Sequence, residues 1–183
     1  VIDKVRTIHL QVTGTAPDGR SYAASDPDLL TWVHVAEVSS FLAAHLRYRD
    51  PQLSRAGQDA YYDEIALIAE RLGARNVPRS CQQVDEYLQR MRPQLHCDAR
   101  SLEVIEILLQ APAPSRLAQP VGRLMLQAGI DLLPAWAQAM LGLHQGPLQQ
   151  RMIRLGLNRT APVLRWAMRD GSAHRAKRRM GIE

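Results

Sequence analysis

The chain has little of what most recognisable active sites are built from. Its only cysteines are Cys81 and Cys97, with no Cys-x-x-Cys pair, so cysteine alone makes no zinc site. Two cysteines permit one disulfide, but nothing in their spacing demands it. Both are read as free thiols in a reducing, cytoplasmic compartment. There is no Gly-x-Ser-x-Gly elbow and no glycine-rich phosphate loop, which removes the usual marks of a hydrolase nucleophile and of a nucleotide site. No Glu-x-x-His occurs, and helical di-metal sites are built from two of them. No apolar run reaches the roughly 18 residues of a membrane span, so nothing reads as a spanning helix. Aromatic residues are few, with one Phe and three Trp, so any pocket is lined mostly by Leu, Ile, Val and Met. Lysine is nearly missing: Lys4 and Lys177 are the only two, and the remaining cations are arginines, which points to a GC-rich source genome more than to a chemistry.

Charge of one sign is missing from one end. Residues 1–150 hold 14 basic and 16 acidic side chains, whereas residues 151–183 hold 9 basic and 2 acidic. Such asymmetry suits a solvated basic tail or contact with an acidic surface. Helical signals fill the rest. Ile2, Val5, Ile8, His9 and Val12 fall at helical spacing and predict a helix over 2–13 closed by Gly14. Pro17-Asp18-Gly19 marks a turn. Ser25 or Asp26 caps a second helix, with Pro27 in its first turn, running to about Tyr48. A third runs from Ser54 to Gly73. A fourth starts at Ser80, with Gln83 as capping-box partner, and weakens at Pro93. A fifth begins at Ser101 and stops before Pro112. Short helices are expected near 116–129, 134–142, 147–156 and 160–169, and no strand run is convincing. The expected fold is all-α: a single irregular helical domain of about eight helices over 1–171, not a regular up-down bundle, followed by a basic flexible tail over 172–183.

Against this background two histidines stand out. At roughly 100° per residue, His34 shares a side of the second helix with Val38, Phe41 and His45, with Leu30 below. His9 shares a stripe with Val5 and Val12. A histidine so placed is either buried and hydrogen-bonded or a ligand. Glu37, three residues beyond His34, lies within helical reach as its partner. A neutral imidazole on a rigid helix beside an oily wall suits a haem iron, if its second nitrogen finds an acceptor.

Three linked stretches carry a resemblance: His9-Leu10-Gln11-Val12-Thr13-Gly14, the turn from Pro17 to Tyr22, and the helix start from Asp26 to His34. Later pieces, "YYDEIALIAERLGARNVPRS" and "VDEYLQRM", are similar too. Over about residues 1–145 the chain resembles the oxygenase family that includes the latex-clearing rubber oxygenases and the mycophenolate-pathway oxygenase. The resemblance implies an all-α fold holding one haem b, with His9 as the proximal iron ligand and His34 as a second motif histidine near the pocket. It implies cleavage of carbon–carbon double bonds in isoprenoid-like, apolar substrates by dioxygen. It also implies a further segment before the first histidine in the whole protein, carrying distal-pocket Arg and Thr. Tyr22, just after the turn, is placed to reach a haem propionate or the start of the second helix.

Two functions follow as expectations. In the first, the chain is a haem-dependent oxygenase with His9 on the metal, Tyr22 toward the cofactor, and His34 oriented by Glu37 beside an apolar small-molecule substrate. In the second, it is a non-catalytic helical binding module with an apolar groove and a basic C-terminal end that touches a membrane surface. No nucleic-acid partner is expected, because the basic end lacks interleaved aromatics.

Overall fold

The computed structural model describes residues 1–113, 115–116, 118–167 and 172–181. The fold is predominantly α-helical and irregular, with one small sheet among the described residues. By internal contacts the chain divides into two compact units, Val1–His96 and Cys97–Glu183.

In the first unit, α1 spans Ile2–His9 and stops short of the expected end at Gly14. The chain then forms an antiparallel hairpin of β1 (Thr13–Thr15) and β2 (Ser21–Ala23), pairing Thr13 with Ala23, Gly14 with Tyr22 and Thr15 with Ser21. The expectation of no strands fails here for a local reason. The Pro17-Asp18-Gly19 turn, with Gly19 at φ 86°, brings Thr13 and Thr15 opposite Ala23 and Ser21, and pairing wins over continued helix. Gly14 matters to this pairing. A Cβ there would meet the Tyr22 hydroxyl oxygen at 2.5 Å, so the Tyr22 ring lies across the hairpin only because residue 14 has no side chain.

The second helix, α2 (Pro27–Tyr48), begins as the sequence predicts. Asp26 accepts hydrogen bonds from the backbone N–H groups of Asp28 and Leu29, and Pro27 occupies the first turn. α3 (Arg55–Leu72) is capped by Ser54 and ends at Gly73 with φ 116°. α4 (Cys81–Met91) is capped by Ser80, and a 3₁₀ turn follows at Arg92–Gln94. Gln83 reaches back to the N–H of Arg79 at 2.8 Å, one residue before the N-cap.

The core of this unit joins Val35, Val38 and Leu42 of α2 to Tyr62 of α3 and to Cys81 and Val84 of α4. A second cluster sets Leu30 against Ala66, Ala69, Ala74 and Val77, where small α3 side chains bring the backbones close. Cys81 is buried, and burial pushes its thiol up to about 11, which keeps it protonated and unreactive. α2 has 22 residues and is long and apolar enough to cross a membrane. It packs on α3 and α4 along one side, and 28% of its most apolar stretch is buried.

In the second unit, α5 (Ala99–Gln110) starts with a capping box between Asp98 and Ser101. α6 (Gln119–Leu132), α7 (Ala135–Met140), α8 (Pro147–Ala167) and α9 (Ser172–Met180) follow. The two short helices expected over 147–156 and 160–169 are one helix as far as Ala167, continuing through Pro162; residues 168 and 169 lie outside the described residues. Proline removes one hydrogen bond to the carbonyl four residues back. Pro162 and Asn158 are both exposed, so the carbonyl freed there lies on the solvent side of the helix. The segment expected to be frayed is helical over Ser172–Met180.

α6 and α8 are tied by a charge pair. Arg154 donates from Nε and Nη2 to the two carboxylate oxygens of Asp131, each at 2.8 Å, and the Asp131 side chain is fully covered. Arg154→Met should take the guanidinium from that carboxylate and destabilise the unit by about 2–4 kcal/mol, measured by chemical denaturation. Replacing both partners, Asp131→Leu with Arg154→Met, should recover much of the loss.

Candidate functional site

His9 is the last residue of α1. Ile2, Val5 and His9 are the half-buried positions of that helix, and α1 packs on α3. His9 therefore lies on the packed side, although Val12 does not share its stripe: it is 46% exposed and outside the helix. The Nδ1 atom of His9 is buried and makes no hydrogen bond among the described residues. A buried polar atom without a partner is uncommon and costs stability. The nitrogen is uncommitted, but, buried as it is, it meets a metal or an acid only where neighbouring side chains give way.

His34 sits on α2 at the edge of the buried face. That face runs through Thr31, Val35, Val38 and Leu42, not through Phe41 and His45 as the sequence suggests; Phe41 is 59% exposed. His34 is half-buried. Burial pushes its pKa below the ordinary 6.5, and the negative charge of Glu37 opposes this in part. Glu37 acts through space, since no hydrogen bond joins the two among the described residues.

Tyr61 completes this group, and the sequence reading did not single it out. It lies on α3, half-buried, and its hydroxyl donates to the carbonyl of Val38 at 3.4 Å. Burial raises its pKa, and Glu37 adds to the rise. Glu37 thus bears on both His34 and Tyr61 across the α2–α3 packing. The available signal was the repeated Tyr61-Tyr62 before an amphipathic helix; its pairing with Glu37 is a tertiary fact. No hydrogen bond or ion pair joins His9 to His34, Glu37 or Tyr22 among the described residues.

Tyr22 is 47% exposed and lies at a cleft of about 630 Å³. Leu29, Trp32, Met91 and Leu95 form its apolar part, and Arg20 and Asp28 stand among its polar groups. Its size is that of a small-molecule site. Neither His9 nor His34 lines it.

A family model described as "ER-bound oxygenase mpaB/B'/Rubber oxygenase, catalytic domain" matches residues 1–166. The chain belongs to this family. No curated protein and no solved structure matches it. The match extends the resemblance past residue 145 and takes in α1 with His9, the hairpin, α2 with His34, and α8 almost to its end. In this member of the oxygenase family, the half-buried imidazoles and the Tyr61 phenol lie in the first unit.

The depressed His34 pKa carries a sign. The unfolded chain binds this proton more tightly than the folded chain does, so stability falls as pH drops below 6.5 toward the lower folded value. His34→Gln should remove that part of the slope. The check is the difference in denaturation midpoint between pH 7.5 and pH 5 for the two proteins, with the His34 ring titrated by NMR. Glu37→Gln should lower the His34 pKa further.

Proposed function

We propose that this chain is the catalytic part of a haem-b-dependent oxygenase that acts with dioxygen on an apolar, isoprenoid-like substrate. The observation that carries the reading is the buried, unpartnered Nδ1 of His9 in a member of an oxygenase catalytic-domain family.

The donor chemistry fits the group. Among the described residues, no three His, Cys, Asp or Glu side chains gather to hold a metal ion. A porphyrin supplies four of its own ligands and asks the protein for as little as one imidazole, which His9 offers. When bound, the haem supplies the activation of dioxygen. His9 would hold the iron, and its place at the end of a helix packed on α3 limits the swing of its ring. Tyr22 at the hairpin would contact a propionate.

His34 has the chemistry to keep a pocket neutral. With its pKa below 6.5 it is uncharged at pH 7, so it donates or accepts one hydrogen bond without placing a cation beside an oily substrate. Glu37 biases the ring toward the tautomer and orientation that its charge favours. The substrate class rests on the family; the cleft with Leu29, Trp32, Met91 and Leu95 offers an apolar wall beside Tyr22, away from both histidines.

The binding-module reading keeps one observation of its own. A groove of about 650 Å³ between α5 and α6 is lined by Leu109, Pro112, Val121, Met125 and Leu126.

Expression with added haem should yield a Soret band at stoichiometric occupancy. His9→Ala should abolish haem retention, whereas His34→Ala should keep the haem and lower oxygen-dependent turnover of a polyisoprenoid. Full haem in His9→Ala would remove His9 as the ligand. No band in the unmodified protein would leave the groove-binding module as the better reading.

A further inference from the structure

α8 is apolar on two opposite sides. One carries Ile153 and Leu157, both buried, and the helix packs on α6. Half a turn away Leu148, Met152, Leu155, Val163 and Trp166 fall along one line at roughly 100° per residue. All five are exposed, from 48% at Leu155 to 74% at Leu148. The line is about 27 Å long at ~1.5 Å per residue. A helix that only completes a water-soluble core is polar on its outer side, and this one is not.

The charges around the line select what can cover it. Arg159 lies within it and Arg151 at its edge, both exposed. The next helix, α9, exposes Arg175, Lys177, Arg178 and Arg179. Residues 151–183 carry 9 basic and 2 acidic side chains, so the partner must be apolar at its centre and negative around it. We propose that the outer face of α8, with the basic residues that follow it, docks on the surface of an anionic lipid bilayer, the helix lying in the plane of the interface. Leu148, Met152, Leu155 and Val163 enter the acyl boundary, and Trp166 sits at headgroup level with its ring in the apolar layer and its N–H wet. Arg159 reaches out along its own methylene stem to the phosphates. The arginines and lysine of α9 add attraction to negative headgroups.

The exposed apolar residues of α5 make a useful contrast. Leu102, Val104, Ile107 and Leu108 also stand in solvent, but Glu103 and Glu106 accompany them, and an anionic surface would repel that helix. Exposure is shared by both helices; the charge that would select a lipid surface belongs to α8 and α9. This inference goes beyond the proposed oxygen chemistry and does not rest on it.

The test is sedimentation of the whole chain with phosphatidylcholine vesicles, with and without phosphatidylserine. Binding is expected only with phosphatidylserine, and it should weaken roughly ten-fold when salt is raised from low to high. Met152→Ser with Trp166→Ser should lower the partition coefficient roughly ten-fold or more while leaving the circular dichroism and denaturation midpoint unchanged. Brominated lipid should quench the fluorescence of the parent protein and not that of Trp166→Phe, since Trp32 and Trp136 are half-buried elsewhere. Equal binding to both vesicle types, or undiminished binding by the double variant, would overturn the proposal. So would a chain that binds neither vesicle and self-associates until the double variant makes it monomeric, because the face would then join copies. Haem retention in the double variant reads out the oxygenase reading separately.

Discussion

The rotation of α2 about its own axis governs the first unit. Apolar residues surround this helix, and its neighbours cover only one side, so some must be left in solvent. A polar anchor contributes to the choice. The Thr31 hydroxyl lies 2.8 Å from the carbonyl of Pro27 and 2.9 Å from that of Arg75, and it accepts from the N–H of Arg75 at 3.3 Å. Turning α2 by one residue would break this link to the α3–α4 connection and leave the buried Thr31 hydroxyl without its Arg75 partners. With Thr31 fixed, Val35, Val38 and Leu42 face the core, His34 falls at its edge, and Phe41 faces out. The partial burial that depresses the His34 pKa is a consequence of that rotation.

The local chemistry of helix ends was legible in the sequence. Asp26, Ser54 and Ser80 cap helices, and Gly73 ends one, because each effect needs only neighbouring residues. Two features were not legible for the opposite reason. Val12 fits a helical spacing, but the pairing of Thr13–Thr15 with Ser21–Ala23 competes for those residues and wins. Phe41 and His45 fit a stripe with His34, yet in a helix that is apolar nearly all round, spacing cannot say which side is covered. His9 and His34 were both expected on packed faces, and both are half-buried. Tyr61 went unseen because its link to Glu37 exists only once α2 and α3 are packed.

Membership in the oxygenase family bears on reaction class, and the geometry bears on how this member distributes its parts. The family match covers both compact units as far as residue 166, so neither unit alone is the domain the family describes. The titratable groups of the candidate site nevertheless belong to the first. They have in common a polar atom held where water is scarce: an unpartnered Nδ1 on His9, a ring on His34 that burial holds toward neutrality, and the half-buried phenol of Tyr61. Of these, His34 is held toward its neutral form by burial, which suits a place beside an apolar substrate.

The second unit repeats the logic of α2 in another form. There the polar anchor is Asp131, covered completely and held by two hydrogen bonds from Arg154. That pair favours one rotation of α8 on α6, because a turn in either direction would leave a carboxylate buried without its cation. Ile153 and Leu157 then face inward, and Leu148, Met152, Leu155, Val163 and Trp166 are left facing outward. In both units a polar group on the packed side sets which apolar side chains are left over. On α2 the surplus is Leu29, Val33 and Phe41 among few cations, and Leu29 lines the cleft offered to a small molecule. On α8 the surplus is a continuous line bordered by arginines, a form that suits an extended, negatively charged surface.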